Sequence, residues 1–121
     1  MNTAEEFVSR VLLARDVSHL SHWRTRSFSE HMALGEFYDA VLDLIDGFVE
    51  QYQGYYDKLM QIERASSNGK EDAVKLLESQ VEWIESNRYK VCAKEDTALQ
   101  NTIDEIVRQY EHTLYKLKFL K

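Results

Sequence analysis

The 121-residue chain has no proline, four glycines and one cysteine. Proline breaks helix interiors and glycine weakens them, so their scarcity leaves long uninterrupted helices open to the sequence. The single cysteine, Cys92, excludes an intramolecular disulfide and any zinc cluster built on cysteines. It reads as a half-buried small residue near a turn. No apolar run approaches the ~20 residues of a membrane span, and the first residues, MNTAEEFVSR, carry acids where a secretory signal carries positive charge. The expected location is cytoplasmic, with no membrane partner. Basic residues are also in deficit, 15 Lys and Arg against 21 Asp and Glu, for a net charge of −6. A phosphate backbone is bound by clustered cations that release counterions, so DNA binding is not expected. Arg24, Arg26 and the tail lysines Lys116, Lys118 and Lys121 read as solvated helix ends.

What the chain does have is 44% hydrophobic and 30% charged residues, the balance of a globular protein, at a length that fits one domain over residues 1–121. Thr3 with Glu6, Ser27 with Glu30, Asn68 with Glu71 and Thr97 with Gln100 each match the spacing of a helix capping box. Behind each signal the apolar residues recur at helical spacing. Phe7, Val8, Val11, Leu12 and Ala14 mark a first helix from about Ala4 to Thr25. Leu34, Phe37, Val41, Leu44, Ile45, Phe48 and Tyr52 mark a second from Phe28. Gly54 predicts a stop or bend, with a short helix or a redirected continuation from Tyr55 to about Ala65 and a loop at SSNGK. Val74, Leu77, Val81 and Ile84 mark the third helix; Leu99, Ile103, Ile106, Tyr110, Leu114 and Leu117 mark the fourth. No sustained alternation suggests strands. The pattern predicts an all-α antiparallel four-helix bundle, an architecture in which metal sites are built from facing helices.

The segment His19–Glu50, HLSHWRTRSFSEHMALGEFYDAVLDLIDGFVE, concentrates histidines and carboxylates. On the second helix His31, Asp39, Asp43, Asp46 and Glu50 fall on the flank of the apolar arc, where a carboxylate must find a partner, water or a cation. Asp46 and Glu50, at i and i+4, can aim at one point. His31 and Glu50 are about 28 Å apart at 1.5 Å per residue, so within one chain they cannot share an ion. A second subunit packed antiparallel along the same face would bring them together across a twofold axis.

These residues resemble the Dps-like miniferritins of the ferritin superfamily. His22-Trp23 matches the family's His-Trp dipeptide near the end of the first helix, His31 its histidine early in the second, and Asp46 with Glu50 its Asp-x-x-x-Glu pair. The wording of EHMALGEFYDAVLDLIDGFVEQYQG and LYKLKFLK also resembles small ferritin-like proteins of tailed bacteriophages, which implies the host cytoplasm. Three departures stand beside the likeness. His22 and His31 are nine residues apart, closer than the family pattern, and His19, with the usual separation, lacks an adjacent tryptophan. The acid expected four residues after His31 is Gly35, leaving Glu36 or Asp39 as substitutes. The lysine-rich DNA-binding tail of many members is missing.

The resemblance implies a homo-oligomer whose twofold interface binds Fe(II), or another divalent transition metal, through His22, His31, Asp46 and Glu50, with His19, Glu36 and Asp39 as secondary candidates, and oxidises it with dioxygen or peroxide. Imidazoles and carboxylates suit that metal. The alternative is a non-enzymatic scaffold of the same architecture that binds a protein partner, for which Gly35 is the leading argument. No Ser-His-acid order and no phosphate-binding glycine loop is present.

Overall fold

The computed structural model describes residues 1–121 and contains four helices, α1 Thr3–Arg24, α2 Phe28–Tyr56, α3 Ala73–Val91 and α4 Thr97–Phe119, with no strand. Three of the four begin where a short polar side chain satisfies free N–H groups of the first turn. Ser27 accepts from the Glu30 amide, as its spacing predicts. The other three starts differ in detail. Asn2 and Glu5, rather than Thr3 and Glu6, form the capping box of α1. Asp72 caps α3, while Asn68 accepts from the Lys70 amide within the preceding turn. Asp96 precedes α4 without capping it, because tyrosine hydroxyls occupy its carboxylate, and Gln100 is held inside the protein.

α1 packs on α2 and α3, and α4 packs on α2 and α3, while neither diagonal pair is in contact. Residue pairings fix the directions. Glu36 meets Lys116 and Gln51 meets Thr102, so α2 and α4 are antiparallel; Gln80 meets Tyr110 and Arg88 meets Asp104, so α3 and α4 are too. α2 and α3 therefore run the same way, and one long connection must return along the bundle. Residues 57–72 make that return over the outer face of α1. The Gln61 amide donates to Glu5, the Ser9 hydroxyl to the Glu63 carbonyl, and Arg64 pairs with Asp16. Gly69 then packs on Leu20.

This overturns the short extra helix or kink expected after Gly54. α2 continues through Gly54 to Tyr56, where the left-handed backbone of Asp57 (φ 55°) ends it. Nothing lies near Gly54, so no neighbour forces the helix to turn there. The residues beyond find hydrogen-bond partners on α1 instead of in a turn of their own.

The core follows the apolar arcs. Phe7, Val11, Phe37, Val41, Phe48, Leu77, Ile103, Ile106 and Tyr110 are fully buried, with Phe7 against Phe48 and Phe37 against Tyr110 in edge contact. Leu12, Leu44, Val74 and Val81 are half-buried at its margin. Two amides enter the same core. Gln80 donates to the Arg10 carbonyl (2.7 Å) and accepts from the Tyr110 hydroxyl (2.5 Å). Gln100 donates to the Arg88 and Cys92 carbonyls (3.0 and 2.9 Å) and accepts from Arg88 Nε (2.8 Å). A buried amide without such partners costs on the order of 1–3 kcal/mol, which is why both are fully engaged.

Candidate functional site

The α1–α2 hairpin turns in three residues, Thr25–Ser27, with the Thr25 hydroxyl accepting from the Ser27 amide and donating to Glu30. So tight a turn brings the last turn of α1 against the first turns of α2, and with it the histidines. His22 Nδ1 lies 2.6 Å from the His31 carbonyl, and His31 Nδ1 lies 2.8 Å from the His22 carbonyl. A carbonyl oxygen only accepts, so both Nδ1 atoms carry hydrogen and both Nε2 atoms keep a free lone pair when the rings are neutral. The imidazoles stack at 3.7 Å between centroids with 15° between planes. Lone pairs in nearly parallel planes do not converge, so this geometry clasps the hairpin and does not by itself chelate one ion.

Gly35 belongs to the clasp. A Cβ there would stand 2.9 Å from Cε1 and 3.1 Å from Nδ1 of His22. The position expected to carry an acid is held open for the imidazole.

The stack extends on the other side of His22. Tyr38 meets His22 edge-on at 5.3 Å and lies parallel to His19 at 3.9 Å, and His19 in turn contacts Trp23 at 4.1 Å. Arg15 sits over the Tyr38 ring at 5.5 Å. Burial, with Arg15 and His22 close by, lowers the pKa of His19, so its imidazole is neutral near pH 7. Around this ladder Trp23, Phe28 and Met32 are 66%, 76% and 56% exposed.

The carboxylates lie elsewhere. Asp46 and Glu50 stand on the solvent face of α2, about 22–28 Å along the helix from His31. Glu50 is pushed above the usual carboxylate range by hydrogen bonding to Asp46 and by its charge. Asp39 is exposed on the same face. Glu36 is taken by α4: Lys116 Nζ lies 2.6 Å and His112 Nε2 3.3 Å from its carboxylate, and the Lys116 bond holds the Glu36 pKa down. The structure thus brings His19, His22 and His31 together and leaves Asp46 and Glu50 as a separate pair; no three His, Cys, Asp or Glu side chains of one chain gather as a metal site.

Two partners of the histidines were not signalled as such in the sequence. Tyr38 reads as packing, although at i+7 from His31 it falls on the same flank, and Gly35 reads as a lost ligand. A second cluster, with Tyr55 and Tyr56 both donating to Asp96, closes the opposite end of the bundle across 40 residues of sequence, a separation no local pattern reveals.

Residues 22–117 match the protein family described as Family of unknown function (DUF5856). The chain is a member of DUF5856. The matched span begins at His22 and so takes in the clasp, Gly35 and the acidic face of α2. The DUF5856 chain is also 29% identical over 117 residues to an uncharacterized 14.6 kDa protein from the mobD-ri intergenic region of Enterobacteria phage T4, covering 94% of this chain and 87% of that one. The similarity suggests a small protein of phage type. No solved structure matches it. None of the four helices is long and apolar enough to cross a membrane.

Proposed function

We propose that this DUF5856 protein is a non-enzymatic helical bundle that acts by binding another protein along the solvent face of α2 and the adjoining α1–α2 turn. One observation carries the reading: Trp23, Phe28 and Met32, all close in sequence to the α1–α2 turn, are exposed, with Trp23 against His19 and Phe28 beside His31. Exposed aromatic and methionine side chains on a rigid support are the composition of a contact surface. The test is a photo-crosslinking residue at Met32, in cells expressing the protein. Discrete adducts of higher mass are expected. Their absence at Met32 and at Trp23 alike would sink the reading.

A second reading is Fe(II) oxidation at a twofold interface, as the Dps-like resemblance implies. It is favoured by the free Nε2 lone pairs of His22 and His31, since metal-ligating histidines direct their other ring nitrogen to a carbonyl or carboxylate in this way. The single long crossover is also the connection that ferritin-like bundles use, which supports a ferritin-like assignment of the fold. Within one chain the ligand set does not fit one ion, so the acids would have to come from a second copy. Aerobic titration with ferrous iron separates the readings. Rapid, saturating oxidation that is lost in His31→Ala/Glu50→Ala would establish the iron site, and kinetics equal to buffer would remove it.

A further inference from the structure

The diagonal helix pairs are not in contact, and at one end of the bundle the space between them opens. Where the α1–α2 turn, the start of α3 and the last turns of α4 meet, a cavity of about 500 Å³ is lined by residues of all four helices. Its floor is apolar: Leu34 of α2 and Leu117 of α4 are buried and Val74 of α3 is half-buried. Its rim is charged. Glu30, Glu71 and Asp72 on that rim are each engaged within the chain, by the Thr25 hydroxyl, the Ser67 hydroxyl and the Lys75 amide. Arg24, the last residue of α1, and Lys70, in the crossover, are exposed on the same rim and take part in no ion pair.

The surface around the cavity has the same character. Residues 19–33, 66–78 and 114–121, which form this end, hold seven Lys and Arg against four Asp and Glu, whereas the rest of the chain holds eight against seventeen. Six of the eleven exposed large hydrophobic side chains stand here too: Trp23, Phe28 and Met32 near the turn, and Tyr115, Phe119 and Leu120 on the last turns of α4 or just after them. Aromatic, Met and Arg side chains around a pocket are the composition of a protein contact whose anchor is a buried side chain. A phosphate backbone or an anionic lipid surface would use the cations and leave the hollow unused. An apolar side chain on an acidic segment uses both.

We propose that this end of the bundle binds an acidic segment of a different protein, with one apolar side chain of that segment seated over Leu34, Val74 and Leu117 and its carboxylates at Arg24 and Lys70. The proposal rests on the protein-binding reading and supplies the chemistry of the partner. It also sets the centre of contact at the end of the bundle and not along the flank of α2. On that flank the exposed charges are acids, Asp39, Asp43, Asp46 and Glu50, which repel such a segment and turn its negative charge toward the α1–α2 turn. The exposed cations steer the encounter in a salt-sensitive way. The apolar anchor adds burial that salt does not screen.

A photo-crosslinking residue placed in turn at Met32 and at Phe119 of the full chain, in cells, tests this, with the joined segment identified by mass spectrometry. Both positions are expected to capture the same protein, through a segment in which Asp and Glu outnumber Lys and Arg and an apolar residue stands among them. Arg24→Glu/Lys70→Glu should lower the yield of both adducts about tenfold or more, the scale on which like charges suppress a pairing. Arg24→Lys/Lys70→Arg, which keeps the charge, should leave the yield near the native level. Circular dichroism checks that each variant keeps its helices, and Lys70→Glu alone serves if the double reversal does not. An adduct at Met32 with none at Phe119, a joined segment without an acidic excess, or yields indifferent to charge reversal would overturn the proposal and leave the broader reading standing. Capture of a second copy of this chain would do the same. Capture of lipid or nucleic acid alone, or of nothing at any position, removes both.

Discussion

The imidazole of His22 occupies the space that a side chain on Gly35 would need, with Cε1 only 2.9 Å from the Cβ position. The ring cannot simply swing away, because its Nδ1–H donates to the His31 carbonyl and its face lies on the His31 ring. In an exposed helix interior alanine is favoured over glycine by roughly 1 kcal/mol. At Gly35 that gain should be reversed. Gly35→Ala is expected to lower stability by about 1–3 kcal/mol through overpacking and loss of the clasp, whereas Gly47→Ala and Gly54→Ala, with nothing near their Cβ positions, should raise it by about 0.5–1 kcal/mol. Urea unfolding of the three variants measures this. Stabilisation by Gly35→Ala would show that the clasp is not tight.

Gly69 makes a second such contact, between the crossover and α1. Its φ is +74°, and a Cβ would stand 2.3 Å from Leu20 Cδ1. Gly69→Ala should therefore destabilise by about 1–3 kcal/mol, combining left-handed strain with displacement of Leu20. Leu20→Ala removes the 2.3 Å contact and leaves the Leu20 Cβ at 2.9 Å, so it relieves part of the clash and none of the strain. Made together, the two changes should cost less than their sum in a double-mutant cycle; strict additivity would refute the contact.

These two glycines show how far the sequence could be read. The four helices, their apolar arcs and the Ser27 cap were legible because they depend on local spacing. The crossover was not, since its partners Glu5, Ser9 and Asp16 lie about 50 residues away, and a stretch such as Tyr55–Ala65 carries no mark of hydrogen bonds made to another helix. At the candidate site the histidines stood out, and their separation from Asp46 and Glu50 followed from helix rise alone. Their mutual bonding did not, because a histidine's role depends on which nitrogen meets which carbonyl. Gly35 shows the same limit: a glycine in a helix records that space is needed and not what fills it.

The tyrosines that hold Asp96 give the fold a pH signature. Asp96 is held below its ordinary range by the hydroxyls of Tyr56 and Tyr55, while burial, followed by the bond to Asp96, pushes Tyr56 up to about 12. A carboxyl with a depressed folded pKa contributes stability above its unfolded value, which is lost as pH falls through the folded one. A phenol with a raised folded pKa contributes stability below its unfolded value of about 10, lost as pH rises toward about 12. Thermal melts should fall at both extremes. In Tyr56→Phe the alkaline loss should shrink, and in Asp96→Asn the acid loss should shrink; unchanged pH profiles in both would contradict the link.

Cys92 should be a poor nucleophile. Burial, with Asp96 adding to it, pushes its thiol up to about 11, and Sγ lies within 3.2 Å of the Gln100 amide nitrogen inside the core. Only the thiolate reacts, and at pH 8 almost none is present. Labelling by a thiol reagent should then proceed through opening of the α3–α4 turn and be slower than for an unfolded chain by orders of magnitude. Gln100→Ala removes the amide that ties together Arg88, Cys92 and α4, leaving the Cys92 carbonyl and Arg88 Nε without it. It should destabilise the protein by about 2–4 kcal/mol, the scale for breaking a buried hydrogen-bond network, and accelerate labelling in proportion to the opening it permits. Rapid labelling of the native chain, or equal rates in both, would place Cys92 outside the core.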